Sequence, residues 1–396
     1  MPMKNKVWIG NGTVVLENRE CNNGSVLFEN GKILEINKPC PIDAQKVDAH
    51  NGYILPGFVD IHLHGGGDFD FMDGSPEDFI KVAKAHCEHG TTAMCPTTMT
   101  CDDELLEHII QSYKAALKLP NNGAHFLGLH LEGPFFSSGG KGAQPVSEQR
   151  IPTREFLEHI IRIGEGNIIR WDESPELPET KLFGDVMKEN GIMASIAHTM
   201  ATAEEANSAF EWGFSHITHF FCITSSGQKI NGICHSGVNE ATLINDNITV
   251  ELIGDGRHIP KEHMLLAYRI KGADNMALIT DAMRAAGTND TESVLGARNT
   301  GVPVVIKDGV AQLTDLSFYA GSVATMDRVL RVAHMEYGIP LTDTVKMMSL
   351  TPARLAFCDN CKGSISVGKD ADIVIMNENF YVEKVFVNGV LQVNNI

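Results

Sequence analysis

The chain has 396 residues, 43% of them hydrophobic and 21% charged, which is the make-up of a globular protein long enough for one large domain and a smaller companion. Its net charge of -18 excludes nucleic-acid binding and docking on an anionic membrane as the main activity, since no basic surplus exists to meet phosphates. An anionic small molecule stays open, because a local basic pocket survives in an acidic protein.

The opening stretch MPMKNKVWIGNG lacks the continuous apolar core of a secretory leader. No apolar run reaches the ~18 residues of a membrane span. The nine cysteines are odd in number and scattered, so they read as reduced thiols of a cytoplasmic protein, and the CxxC at Cys358–Cys361 has no second pair to make a zinc site. Residues 5 to 55 hold short β-type runs (KVWIGNGTVVLEN, GSVLFENGKILEI, AQKVDAHNGYILPG) broken by glycine and asparagine turns. The C-terminal runs KGSISVGKDADIVIMN and VEKVFVNGVLQVN have the same texture. The two ends are expected to pair as a small β-sandwich domain over 1–55 and 360–396, with a larger domain at 56–359 inserted between them.

That larger segment alternates strand-like and helix-like pieces. Eight candidate strands appear in order: YILPGFVDIHLH, TTAMCPTTM, HFLGLHLEGP, NIIRWDESPE, IMASIAH, SHITHFF, ITVELIGDGRH and NMALITDAM. Helical stretches such as SPEDFIKVAKAHCEHG, TREFLEHIIRIG and TAEEANSAFEWG lie between them. This alternation predicts an α/β fold of the (β/α)8 TIM-barrel type. A doubly wound sheet is the alternative, and no GxGxxG follows an early strand to support it.

Several of these strands end in a metal-capable residue. The first ends in His62 and His64, the third in Glu132, the fifth in His198, the sixth in His219 and the eighth in Asp281. Barrel enzymes build active sites where strand C-termini meet loops. Residues i and i+2 of a strand face the same side, so His62 and His64 can grip one ion together. The following Gly65, Gly66 and Gly67 let the chain turn away from a crowded mouth. Imidazoles and carboxylates without thiolate suit zinc, iron, manganese or cobalt, as one ion or two. His130 and His216 read as supporting residues, and His86 and His89 as helix-surface residues.

Taken together, PGFVDIHLHG, LHLEGPF, IAHTMAT, THFF, DGRHI, LITDAM and GSISVGKDADIVI resemble the amidohydrolase superfamily, and within it the N-acetylglucosamine-6-phosphate deacetylases. The resemblance implies that Glu132, His198 and His219 bind the principal divalent metal, zinc or iron, that His62 and His64 hold a second ion, and that Asp281 is catalytic. It implies substrate contacts from Ala143, Gln144, Cys222, Ile223, His258, Tyr319, Ala320 and Gly321. It also implies a homodimer in which a neighbouring subunit completes the phosphate site in some members.

The chain departs from the family in four places, one of them the bulky Tyr319 before Ala320, Gly321 and Ser322 in SFYAGS. KGAQ puts Gln144 where members carry a histidine. Cys222, Ile223 and Thr224 replace Asn-Ala-Met, and SSGQKING offers Lys229 where a phosphate-binding arginine is expected. The implied activity is hydrolysis of an N-acetyl group on an amino sugar, with the 6-phosphate form as leading substrate. An unphosphorylated N-acetyl sugar or other N-acyl amine, a cyclic-amide hydrolase and a non-catalytic metal-binding relative are the competing readings.

Overall fold

The computed structural model describes residues 6–396; the start of the leader reading and of the expected small domain, residues 1–5, lies outside the described residues. Both chain ends contribute to one eight-stranded sheet. Lys6–Leu16, Arg19–Glu29, Lys32–Ile36, Gln45–Asp48 and Tyr53–Pro56 come from the N-terminal end, and Ile373–Met376, Val382–Val387 and Val390–Asn394 from the C-terminal end. The join is antiparallel, with Ile54 opposite Ile375 and Pro56 opposite Ile373. β-Branched residues alternate along these strands, so one face can be buried. Val7, Ile9, Val26, Ile54, Ile375 and Phe386 form a core there that is separate from the main one, and Phe28 meets Phe386 edge-on at 5.4 Å.

Eight parallel strands follow one another through the middle of the chain: β1 (Phe58–Leu63), β2 (Thr91–Pro96), β3 (Leu129–Phe135), β4 (Ile168–Glu173), β5 (Met193–Ile196), β6 (Phe214–Ile217), β7 (Thr249–Ile253) and β8 (Met276–Ile279). β1 pairs with β2, and β3 to β8 form a six-stranded sheet in chain order. Single parallel bridges join Thr97 to His130 and Leu63 to Ala282, linking the two sets at both margins.

Helices between these strands begin at side-chain caps that the sequence supplies. Ser75 accepts from the Asp78 N–H to start α1 (Pro76–Cys87) with proline in its first turn. Asp102 and Thr153 cap α2 (Asp103–Ala116) and α3 (Arg154–Gly164) in the same manner. α1 buries Phe79, Val82, Ala83, His86 and Cys87, one stripe at helical spacing. His86 is therefore not a surface residue: it is 1% exposed, and its Nε2 donates to the Gly65 carbonyl at 2.9 Å. His89 is partly exposed, with Nδ1 3.2 Å from Asp327.

The strand–helix alternation does not anticipate a four-stranded antiparallel insertion after β8, made of Glu292–Leu295, Val302–Lys307, Val310–Leu313 and Tyr319–Ser322. Nor does it anticipate the hairpin Gln228–Ile230 with Ile233–His235. No helix among the described residues is long and apolar enough to cross a membrane.

Candidate metal centre

Glu132, on β3, is 2% exposed and lies between two pairs of histidines. Its Oε1 is 3.0 Å from the Nε2 atoms of both His198 and His219. Its Oε2 is 3.2 Å from His64 Nε2 and 3.8 Å from His62 Nε2. Asp281 Oδ1 closes the His62/His64 side, 3.2 Å from His64 Nε2 and 3.4 Å from His62 Nε2. Two groups of three donors, each compact enough for one ion, thus share Glu132.

The backbone turns sharply where three of these residues are presented. His198, His219 and Asp281 have φ of +47°, +29° and +48°, a left-handed region that non-glycine residues enter at some cost. Hydrogen bonds hold them there: Ser174 Oγ donates to the His198 carbonyl at 2.7 Å, and the Asp281 N–H donates to the His62 carbonyl at 3.0 Å.

Hydrogen bonding also decides which ring nitrogens are left to act. His198 Nδ1 donates to the Gly140 carbonyl at 2.8 Å, and His219 Nδ1 to the Cys222 carbonyl at 3.0 Å. With Nδ1 engaged in this way, each ring aims its Nε2 inward, and the two Nε2 atoms are 3.2 Å apart beside a carboxylate oxygen. Three ligand atoms converging in one small buried volume fit a cation. On the other side His62 Nδ1 is 2.6 Å from Glu251 Oε1, and the buried His62 Nε2 has no hydrogen-bond partner among the described residues. This too suits a metal ligand.

Burial alone pushes the Glu132 carboxyl up, but the imidazoles around it, His198 and His219 first, hold it well below its ordinary range. Burial opposes a charge on His64, yet hydrogen bonds to Asp281 and Glu132 lift it to about 9. Burial raises Asp281, and the hydrogen bond with His64 together with the charges of His62 and His64 outweighs this, so it stays a carboxylate.

A cavity of about 360 Å³ opens above the cluster. His64, Glu132, His198, His219 and Asp281 reach its wall. So do Ala143, Gln144, Cys222, Ile223, His258, Tyr319 and Gly321 from the sequence reading. Ala320, fully buried, and Lys229, exposed in the hairpin, are not on the wall. Gln144 is committed on both sides: Nε2 donates to Glu132 Oε2 at 3.0 Å, and Oε1 accepts from the Thr100 N–H at 3.0 Å. His258 donates through Nδ1 to Asp255 at 2.8 Å and lies 4.9 Å from the Tyr319 ring. Arg284 is locked to Asp73 by two bonds of 2.6 and 2.8 Å, away from this wall. The insertion supplies Leu295, Gln312, Leu316 and Phe318. Among the described residues no lysine or arginine lines the cavity.

Sequence reasoning did not find Glu251, Arg170 or Asp172, all buried beneath the cluster. The available signal was a charged residue inside an otherwise apolar strand, as in TVELI and IIRWDE.

Comparison with known proteins places these features in context. An N-acetylglucosamine-6-phosphate deacetylase of Lysinibacillus sphaericus is 33% identical over 390 residues, covering 97% of each chain. An N-acetylgalactosamine-6-phosphate deacetylase of Escherichia coli O157:H7 is 28% identical, covering 89% of this chain and 91% of its own. The crystal structure of N-acetylglucosamine-6-phosphate deacetylase from Pasteurella multocida superposes with a TM-score of 0.91 at 28% identity, covering 98% of this chain and all of that one. The family model for the amidohydrolase family matches residues 53–391. With its shared glutamate, paired histidines and strand-end aspartate carried on that matched segment, the chain belongs to the amidohydrolase family.

Proposed function

We propose that the chain is a metal-dependent N-deacetylase of an amino sugar, converting N-acetylglucosamine 6-phosphate to glucosamine 6-phosphate and acetate. One observation carries this reading: a glutamate whose two oxygens each face a histidine pair, with a carboxylate at the cavity wall 3.2 Å from one of them. Glu132, His198 and His219 would hold the principal ion, zinc or iron, and His62 and His64 a second, with Glu132 shared between them. When bound, a divalent ion supplies an activated water near neutral pH and polarises the acyl oxygen.

The chain's own residues supply the rest. Asp281, kept ionised, accepts a proton from the attacking water at Oδ1 and returns it to the leaving nitrogen. Gln144, occupied by Glu132 and Thr100, braces the shared ligand. His258, with Nδ1 tied to Asp255, offers Nε2 to a sugar hydroxyl. The eight parallel strands and their two marginal bridges support a closed (β/α)8 barrel over 56–359, and the separate terminal core supports a small β-sandwich domain over 1–55 and 360–396. We read the assembly as a cytoplasmic homodimer in which either Lys229 or a residue of a neighbouring subunit meets the phosphate.

A second reading has its own support. A cavity without lysine or arginine among its described lining suits an unphosphorylated N-acetyl sugar or N-acyl amine, because a phosphate dianion wants a cationic partner. Acetate release from N-acetylglucosamine 6-phosphate and from unphosphorylated N-acetyl sugars, by protein reconstituted with zinc or ferrous iron, separates the two. Asp281→Asn should retain metal and lose ~10²- to 10⁴-fold in turnover. Near-normal turnover by that variant removes Asp281 from the mechanism.

A further inference from the structure

Beneath the cluster lies a charged network that the mechanism above does not use. Glu251, on β7, is fully buried. Its Oε1 faces His62 Nδ1 at 2.6 Å and accepts from the His219 N–H at 3.4 Å. Arg170, on β4, grips it with two bonds: Nη1 donates to Oε2 at 2.5 Å and Nη2 to Oε1 at 3.1 Å. His216 Nε2 lies 3.4 Å from Oε2. Arg170 Nη2 also reaches the Ile61 carbonyl at 3.3 Å and His130 Nδ1 at 2.6 Å. His130 Nε2 donates to Asp172 at 2.8 Å, and Ser195 and Thr218 donate to that aspartate.

Burying such ions costs several kcal/mol each, and well-packed apolar side chains hold a core at least as well. Stability alone therefore does not account for the pair. Its geometry does something an apolar pair cannot. An ionised Glu251, immobilised by Arg170, keeps a proton on His62 Nδ1 and directs the His62 Nε2 toward Glu132 and Asp281. His64 has no such partner, for its Nδ1 is unpaired among the described residues.

We infer that Glu251, held by Arg170, is a positioning residue for His62 and sets how tightly the His62/His64 side holds its ion; its 3.4 Å contact on the other side is to the His219 main chain, while the His219 ring is oriented by the Cys222 carbonyl. The inference rests on the two-ion reading above. Carboxylates that orient a ligating imidazole contribute typically ~10- to 100-fold in metal affinity.

The test is metal stoichiometry and chelator competition with zinc on the full chain, its Glu251→Gln variant, and a Glu251→Gln/Arg170→Met variant that removes both charges so that no buried ion is stranded. Expected are two ions in the parent chain and, in folded variants, one ion weakened ~10- to 100-fold with the other unchanged. Two ions held equally tightly by a folded variant overturn the inference alone. A single ion in the parent chain overturns the two-ion reading and the inference with it. Should neither variant fold, imidazole nitrogen NMR of the zinc-loaded parent decides. A His62 ring carrying its proton on Nδ1 in a strong hydrogen bond supports the inference, and one protonated on Nε2 overturns it.

Discussion

The two sides of Glu132 hold their histidines by different means. On the His198/His219 side each ring donates through Nδ1 to a backbone carbonyl, that of Gly140 or Cys222. On the other side His62 leans on a carboxylate backed by an arginine, and His64 Nδ1 meets no partner among the described residues. A backbone carbonyl is fixed by the fold and cannot change its charge. A side-chain carboxylate is a stronger acceptor, but a single substitution removes it. The first side is therefore the robust half of the site, and the second the adjustable half.

The largest test of this division removes what the halves share. Glu132→Ala takes one ligand from each group, and metal content measured after reconstitution should fall to background. Retention of a full complement would place the ions elsewhere. Next, His62→Asn with His64→Asn should strip one ion only and reduce deacetylation by at least ~10²-fold, the scale of losing a Lewis acid at the acyl oxygen. Full activity with one ion would make the adjustable half dispensable.

A smaller effect concerns the support behind Gly65. Burial pushes His86 down from 6.5 to about 4. The unfolded chain thus binds the extra proton first as pH falls, so the contribution is present above pH 6.5 and is lost progressively toward pH 4. In metal-free protein, urea unfolding at pH 7 and pH 4 should show the parent chain losing roughly 3 kcal/mol more than His86→Leu. Parallel losses would refute the assignment. The smallest effect lies off the cavity wall, in the exposed hairpin. Lys229→Ala should raise KM severalfold for the phosphorylated sugar and leave the unphosphorylated one unchanged. An equal change in both would show that Lys229 does not read phosphate.

The ligand candidates were legible because each sits at the end of a strand-like run, where alternation and the break that follows can be counted. The HxH pair, Glu132, His198, His219 and Asp281 all carry that mark, and the structure brings them within one small volume. The pairing of the two chain ends was legible from matching β texture. Glu251 and Arg170 were not, because a buried ion in an apolar strand looks in sequence like a half-exposed one until its partner is known. Their separation of 81 positions hides that partner. His86 was misread because Lys84 and Glu88 made its neighbourhood look wet. The stripe Phe79, Val82, Ala83, His86, Cys87 holds the correction. The insertion that roofs the cavity was missed because its strands of 4 to 6 residues carry weak alternation. Tyr319 was singled out from motif position, while its contact with His258 depends on a register that local pattern does not encode.

The left-handed backbone at His198, His219 and Asp281 has an evolutionary consequence. At those positions asparagine or glycine is the more comfortable residue. A lineage released from selection for chemistry would gain stability by drifting to them, since strained functional positions trade stability for activity. Replacing His198, His219 or Asp281 by asparagine or glycine should therefore relieve backbone strain while removing the side chain that faces the cluster.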